Sequence, residues 1–373
     1  MTANRVDAIL FIQNGLPQRR RLPENPQFPA WPAANFALSS GRTEGHMIHY
    51  LETGSTDPCY NLAFEQYVLE NKRDGDWLIL WQNNNTVVIG CNQNAWAEVN
   101  TEYVRQHGVT VVRRMTGGGA VYHDMGNLNY SFISDAGNGS EISIERFTEP
   151  VCRALSTMGV RAEKSGRNDI LVNGRKVSGV AQRLCGDRIL HHGTLLFDSD
   201  PQVISEALNV NADKFSSKSV KSVKSRVGNI REFLPADMDM TEFRARLLAA
   251  LSADGLVHEQ LSGEELAEAA RIADEKYRLW DWTWGRTKKF EYKNSRRFPG
   301  GSLCIMADVQ NGKISDIAFE GDFMALEDVS PAATALTGCF FERDSVARAL
   351  STLDLTNIFG AITAENILDL MFS

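Results

Sequence analysis

The stretch Arg113-Arg114-Met115-Thr116-Gly117-Gly118-Gly119-Ala120-Val121-Tyr122-His123-Asp124 constrains the fold of this chain more than any other segment. Three consecutive glycines cost backbone entropy, and a folded protein keeps such a run where the chain bends sharply or passes close to another group. Two arginines precede the run and a His-Asp pair follows it, so ionisable groups border the loop. A cationic, glycine-lined loop suits an anion such as a carboxylate or a phosphate. Taken alone, three glycines are better read as a tight turn between strands with solvated flanks. The rest of the chain decides between the two.

A second segment fixes local geometry. Asn173-Gly174 is a hairpin signal, because both central positions of a type I′ turn take positive φ. A two-residue turn there predicts Val172 opposite Arg175, Leu171 opposite Lys176, Ile170 opposite Val177 and Asp169 opposite Ser178. Opposed residues share a face, and faces alternate along each strand. Ile170, Val172 and Val177 therefore make a core face, while Asp169, Lys176 and Ser178 make a polar one.

Short strands and helices surround these two segments. Pro58 to Lys72 carries Leu62, Phe64, Val68 and Leu69 near helical spacing, with Asp57 as its N-cap. Strands are expected at Trp77–Trp81, Thr86–Ile89, Val109–Arg113 and Leu128–Ile133, followed by a helix from Ile144 to Met158. Further strands fall at Asp169–Val172, Arg175–Val180 and Ile189–Phe197. Ser262-Gly263-Glu264-Glu265 reads as a capping box before a helix at Leu266–Tyr277. Alternation of Trp280, Trp282 and Trp284 reads as an edge strand. Asn311-Gly312 joins strands at Leu303–Val309 and Ile314–Phe319, and helices near Ser345–Leu353 and Ala364–Met371 close the chain. Three parts are expected: an extension over 1–46, a main domain over 47–285 and a small domain over 286–373. The extension, with Pro17, Pro23, Pro26, Pro29 and Pro32 and no clear period, reads as disordered or as a mis-assigned start.

Composition removes several function classes. The apolar run Trp77–Trp81 is far too short to cross a bilayer. A net charge of −8 argues against a nucleic-acid binder that works by overall charge. Six scattered cysteines without a CxxC pair read as reduced thiols, with neither a disulfide framework nor a zinc site. There is no Walker loop, no GxGxxG after a strand and no GxSxG elbow.

Lys176 is the leading candidate for chemistry, since a lysine fixed on a rigid ribbon can stabilise charge as it develops on a carboxylate, carbonyl or phosphate. His192 and Thr194 share a strand face and His191 points the other way. His123-Asp124 has a structural and a ligand-binding reading of equal weight. The segment Lys214 to Arg226 interleaves five basic residues with serines, as a solvated loop or as one that closes over a phosphate.

Together these residues resemble the lipoate–protein ligase family. The resemblance is carried by Arg113-Arg114-x-Thr116-Gly117-Gly118-Gly119-Ala120-Val121-x-His123-Asp124-x-Gly126-Asn127 and by Asn168-Asp169-Ile170. It continues in Gly174-Arg175-Lys176-Val177-Ser178-Gly179-x-Ala181, in His191 to Leu196, and in Ser222 to Val227, which is similar to the family's adenylate-closing loop. It implies an α+β fold, a mixed β-sheet with flanking helices plus a small C-terminal accessory domain. It also implies a two-step reaction in which lipoate and ATP·Mg²⁺ give lipoyl-AMP, and a lysine of a lipoyl domain then attacks it. The expected acceptors are 2-oxoacid dehydrogenase E2 subunits and the glycine cleavage H protein. A cytoplasmic monomer is expected, with no nucleic-acid or membrane partner.

By the same resemblance Lys176 is the catalytic residue. Thr116, Gly117, Gly118, Gly119, His123, Asn127, Asn168, Asp169, Ser178, Gly179, His192 and Thr194 bind the lipoyl-adenylate. Arg113 and Arg183 lie beside the pocket mouth or the phosphates, and Asp169 is a candidate magnesium contact. Cysteine-dependent acyltransferases of the same fold are the nearest alternative. They carry a nucleophilic cysteine before the lysine hairpin, where this chain has Glu163-Lys164-Ser165-Gly166-Arg167-Asn168. A non-catalytic lipoate- or adenylate-binding sensor is the alternative from another class.

Overall fold

The computed structural model describes residues 47–136, 144–166, 168–209, 226–252, 255–285 and 292–372. The extension over 1–46 and all of the basic segment except Arg226 lie outside these residues.

Fourteen strands build three sheets among the described residues. They are β1 (Ile48–Glu52), β2 (Asp76–Trp81), β3 (Thr86–Ile89), β4 (Thr110–Arg113), β5 (Val121–His123), β6 (Asn127–Asp135) and β7 (Ala162–Ser165). After these come β8 (Asp169–Val172), β9 (Arg175–Cys185), β10 (Arg188–Leu196), β11 (Leu256–His258), β12 (Tyr292–Phe298), β13 (Gly301–Gln310) and β14 (Lys313–Gly321). The large sheet has the order β11-β1-β2-β6-β10-β9-β8-β7, parallel from β11 to β2 and antiparallel beyond. A small sheet, β4-β3-β5, is also mixed. The third, β12-β13-β14, is an antiparallel meander with its own core of Ile305, Phe319, Phe323, Leu336 and Phe359.

The unbroken apolar run of β2 follows from its place in the large sheet. Leu78 and Leu80 enter one core, against Val151 and Leu155 of helix Ile144–Thr157 and Phe243 of helix Met240–Leu251. Trp77, Ile79 and Trp81 enter another, against Leu62, Phe64 and Val68 of helix Pro58–Asn71. A strand covered on both faces has no polar side to alternate with. That helix starts where the sequence predicts, with the Asp57 carboxylate accepting from the N–H groups of Cys59 and Tyr60. Its faces are less simply amphipathic, since Asn61, Glu65 and Gln66 are also buried.

Both hairpin turns form, with φ of 50° at Asn173 and 52° at Asn311, and the Ser262 capping box closes. The three alternating tryptophans correct the expectation. Trp280–Thr283 is one short helical turn, with Trp280 more than half exposed and the Trp282 indole donating to the Arg113 carbonyl at 2.8 Å. A period of two over five residues does not separate a strand from one turn of helix. Among the described residues no helix is long and apolar enough to cross a membrane.

Candidate active site

A pocket opens between the β9–β10 part of the large sheet and the small sheet, with the glycine loop between them. Lys176 and Gly179 from β9, His192 and Thr194 from β10, and Arg114 and Gly119 from the loop line it. Leu62, Trp81, Val88 and Val121 supply apolar wall.

The lysine hairpin departs from its predicted register at one point. Val172 faces Arg175 and Leu171 faces Lys176 as the turn requires, but Ile170 then pairs with Ser178 and Asp169 with Gly179. The extra residue is a β-bulge, which turns two consecutive side chains to one side. Val177 and Ser178 are accordingly both fully buried. Ser178 lies beside Tyr130, whose phenol burial pushes far above its usual range. Ser178 therefore leaves the polar face predicted for it, and Gly179 takes that position. Lys176 and Asp169 stay there, with Nζ 2.7 Å from Oδ1.

On β10 the predicted alternation holds. His192 and Thr194 face the pocket, whereas His191 is buried on the far side and stacks on Phe147 at 4.9 Å. Thr194 Oγ1 accepts from the Gly179 N–H at 3.2 Å. Asn168 also lines the pocket and donates from Nδ2 to the Val180 carbonyl at 3.0 Å.

The two arginines before the glycines have different tasks. Arg113, expected beside the pocket mouth or the phosphates, is buried and is not among the residues that line the pocket. Its guanidinium donates to the carbonyls of Gly90, Cys91, Gln93, Trp282 and Thr283 at 2.6–3.1 Å. It clamps the loop after β3 to the tryptophan turn. Arg114 is the pocket arginine. It donates from Nη2 to the carbonyls of Gly117 and Gly119 at 2.6 and 2.9 Å, and from Nε to Thr116 Oγ1 at 2.9 Å. Burial lowers its pKa to about 10, which leaves it charged at neutral pH.

His123 lines the pocket and bonds Asn83 at 3.1 Å; burial, with Arg114 beside it, holds its imidazole down to about 3, so it is neutral. Asp124 accepts from the Gly126 N–H and the Ser199 hydroxyl, a structural role. Asn127 is buried behind the pocket and donates to Asn129, which does line it. Arg183 lies on β9 within electrostatic range of Tyr277 and is not among the lining residues.

Glu65 is the residue sequence reading missed. Its carboxylate, 2% exposed, sits 2.9 and 3.1 Å from His192 Nδ1, and the Ser131 hydroxyl donates to it at 2.5 Å. Thr116 Oγ1 lies 2.7 Å from the other ring nitrogen of His192. The available signal was a carboxylate among apolar residues on the buried side of a helix, far in sequence from its partners.

The C-terminal part reaches this site through its backbone. Gly118 donates to the Phe323 carbonyl at 3.1 Å, Leu184 to Leu326 at 2.8 Å, and Gly321 to Asn92 at 2.7 Å. A Cβ on Gly117 would stand 2.7 Å from the Ala325 nitrogen and 2.8 Å from the Phe323 oxygen. So part of the glycine run is required by the protein's own chain. Among the described residues no group of three or more His, Cys, Asp or Glu side chains is arranged to hold a metal, and no cysteine lines the pocket.

This architecture has known counterparts. Residues 57–252 match the lipoyl protein ligase A/B catalytic domain, and residues 287–371 match the bacterial lipoate protein ligase C-terminus. The lipoate-protein ligase LplJ of Bacillus subtilis is 43% identical over 85% of this chain and 97% of its own. A bi-partite lipoate protein ligase from Thermoplasma acidophilum, solved in a study that included its E2 lipoyl domain, is 28% identical. It covers 67% of this chain and 100% of its own at a TM-score of 0.59. An ATP-bound lipoate-protein ligase A superposes at a TM-score of 0.56 with 26% identity, over 65% of this chain and 100% of its own. On the strength of both matched segments and of identity across nearly the whole of a relative, the chain belongs to the lipoyl protein ligase A/B family.

Proposed function

We propose that this protein is an ATP-dependent lipoate–protein ligase that works through lipoyl-AMP. The observation that carries the reading is the pairing, across one pocket, of the Lys176 ammonium with a glycine loop held by Arg114. In the first step a lipoate oxygen attacks the α-phosphorus of ATP and pyrophosphate leaves. In the second a lysine amine of a lipoyl domain attacks the acyl carbon, AMP leaves, and an amide and a proton result. Both steps gather negative charge on a few oxygens, which fixed cations and N–H donors stabilise more in the transition state than in the ground state.

Lys176 is the group for that task. Its partner is Asp169, and an anionic acyl phosphate in the pocket would compete for the ammonium. The apolar wall of Leu62, Trp81, Val88 and Val121 suits the lipoyl chain. Thr194 and Asn168 supply polar groups for the adenylate, and Thr116, Gly117, Gly118 and Gly119 shape the loop. Magnesium enters as the counter-ion of ATP, where one carboxylate with phosphate oxygens is an ordinary setting. The carboxylate proposed to meet it is Asp169, beside Lys176. The basic segment lies outside the described residues, but the chain that follows it is tied to the site, because Gly228 donates to the Lys176 carbonyl at 2.9 Å.

The acceptors proposed are the lipoyl domains of 2-oxoacid dehydrogenase E2 subunits and the glycine cleavage H protein, met by a cytoplasmic monomer. A cysteine-dependent acyltransferase is disfavoured because Cys185 sits at the far end of β9 from Lys176. The test is pyrophosphate release with lipoate and ATP, followed by transfer to an E2 lipoyl domain, in the parent and in a Cys185→Ser variant. Release and transfer in both are expected. Transfer lost only in the cysteine variant, with an acyl thioester trapped in the parent, would establish the transferase.

A further inference from the structure

The network behind the pocket has a direction that its chemistry sets. Trp81 donates its indole N–H to Ser131 Oγ at 2.8 Å, and an indole can only donate. The Ser131 proton therefore goes to Glu65, at 2.5 Å. At the other end Arg114 donates from Nε to Thr116 Oγ1 at 2.9 Å, and a guanidinium also can only donate. The Glu65 carboxylate can only accept, so the ring proton of His192 sits on Nδ1 facing it, and the bare Nε2 takes the Thr116 proton at 2.7 Å while the same Thr116 oxygen accepts from Arg114. Two donor-only ends converge on one acceptor-only group.

We propose that Glu65 is a positioning residue for the ligase reaction, fixing His192 as its Nδ1–H tautomer so that Thr116 and Arg114 hold the loop at residues 117–119 in its binding form. This rests on the function proposed above. Glu65 touches no lining residue except His192 in this chain of bonds and acts through it. It is also a buried negative charge that favours the charged form of Arg114. A carboxylate that sets a histidine tautomer from behind is a known device at metal sites, where its loss commonly costs about 10–100-fold in metal affinity or activity.

Glutamine discriminates the proposal from plain packing, because it keeps the shape of Glu65 and replaces one of its two acceptors by a donor. Its amide puts an N–H beside one oxygen where the carboxylate offered two acceptors to His192 Nδ1, which weakens the bias toward the Nδ1–H tautomer. The experiment is ring-¹⁵N NMR of His192 in the full-length protein, with single-turnover lipoyl-AMP formation, for the parent and Glu65→Gln. The parent is expected to show Nδ1–H. The variant is expected to gain Nε2–H at the expense of Nδ1–H, and to form adenylate about 10-fold or more slowly. A parent already in the Nε2–H form overturns the proton order. A parental rate in the folded variant overturns the positioning role.

If Glu65→Gln does not fold, Thr116→Val and Thr116→Ser decide the same point. The valine variant should slow adenylation and the serine variant should restore it; equal parental rates overturn the proposal. A parent that forms no adenylate with any acid tested would instead sink the proposed function. The tautomer of the parent would still decide the proton order.

Discussion

The Lys176 ammonium folds over Gly179, so that a Cβ built there would stand 3.1 Å from Nζ and 3.2 Å from Cε. The bulge places these residues on one face, and the missing side chain at 179 gives the lysine room to reach Asp169. Gly179→Ala should therefore cost little stability, because the obstructed atoms are the free end of a flexible chain. It should displace the ammonium and slow adenylation about 10-fold. Parental kinetics in a folded Gly179→Ala variant would show that Lys176 does not need this path.

Lys176→Ala removes the charge outright. Loss of a well-placed stabilising group costs about 3–4 kcal/mol, or roughly 10²–10³ in rate. The fold should survive, since the lysine side chain is about one-third exposed (35%) on the polar side of its strand. Stopped-turnover measurement of lipoyl-AMP, with circular dichroism as the folding control, checks both halves of the statement.

Arg113 and Arg114 are neighbours in sequence with separable phenotypes. Arg113→Met leaves several buried carbonyls without a donor, at about 1–3 kcal/mol each, so unfolding stability should fall by about 3 kcal/mol or more. A pocket arginine would instead raise KM and leave the urea midpoint in place. Urea unfolding of Arg113→Met beside its KM for ATP separates the two outcomes.

Gly117 and Gly119 give a contrasting pair. At Gly117 an added methyl meets backbone atoms of Ala325 and Phe323, whereas at Gly119 nothing lies within 4 Å. Gly117→Ala should lower stability by about 1–3 kcal/mol, as overpacking does, and Gly119→Ala should leave it unchanged. Equal melting temperatures for the two variants would contradict the contact with residues 323–325.

Two buried histidines set an acid limit. Burial holds His123 and His191 down to about 3, against 6.5 in the unfolded chain. Below pH 6.5 the unfolded state binds more protons, so stability falls as pH falls, by up to about 1.4 kcal/mol per pH unit for each histidine. Above pH 6.5 neither contributes a slope. His191→Phe keeps the stack on Phe147 and should reduce the slope between pH 6 and 4.5 by about one proton. An unchanged slope in urea titrations at those pH values would refute the assignment.

Local signals in the sequence read well because their causes are local. Asp57 caps a helix within three residues, and Asn173 and Asn311 turn hairpins within two. What escaped depends on contacts between distant segments. The bulge at Val177 and Ser178 keeps an alternation that looks regular on paper, and only burial against Tyr130 reveals it. Arg113 and Arg114 carry the same charge, and which of them enters the pocket depends on carbonyls as far away as Thr283. Glu65 looked like one more polar residue of a helix until β10 brought His192 onto it.

The bond from Gly118 to Phe323 has a thermodynamic reach beyond its length. One N–H makes one good hydrogen bond, so a ligand oxygen that took this donor would compete with the Phe323 carbonyl for it. Each would weaken the other by the same factor, as linkage requires. A change at residue 323, outside the pocket lining, would then be felt as a change in substrate affinity, and tight substrate binding would loosen the hold of the C-terminal part on the loop.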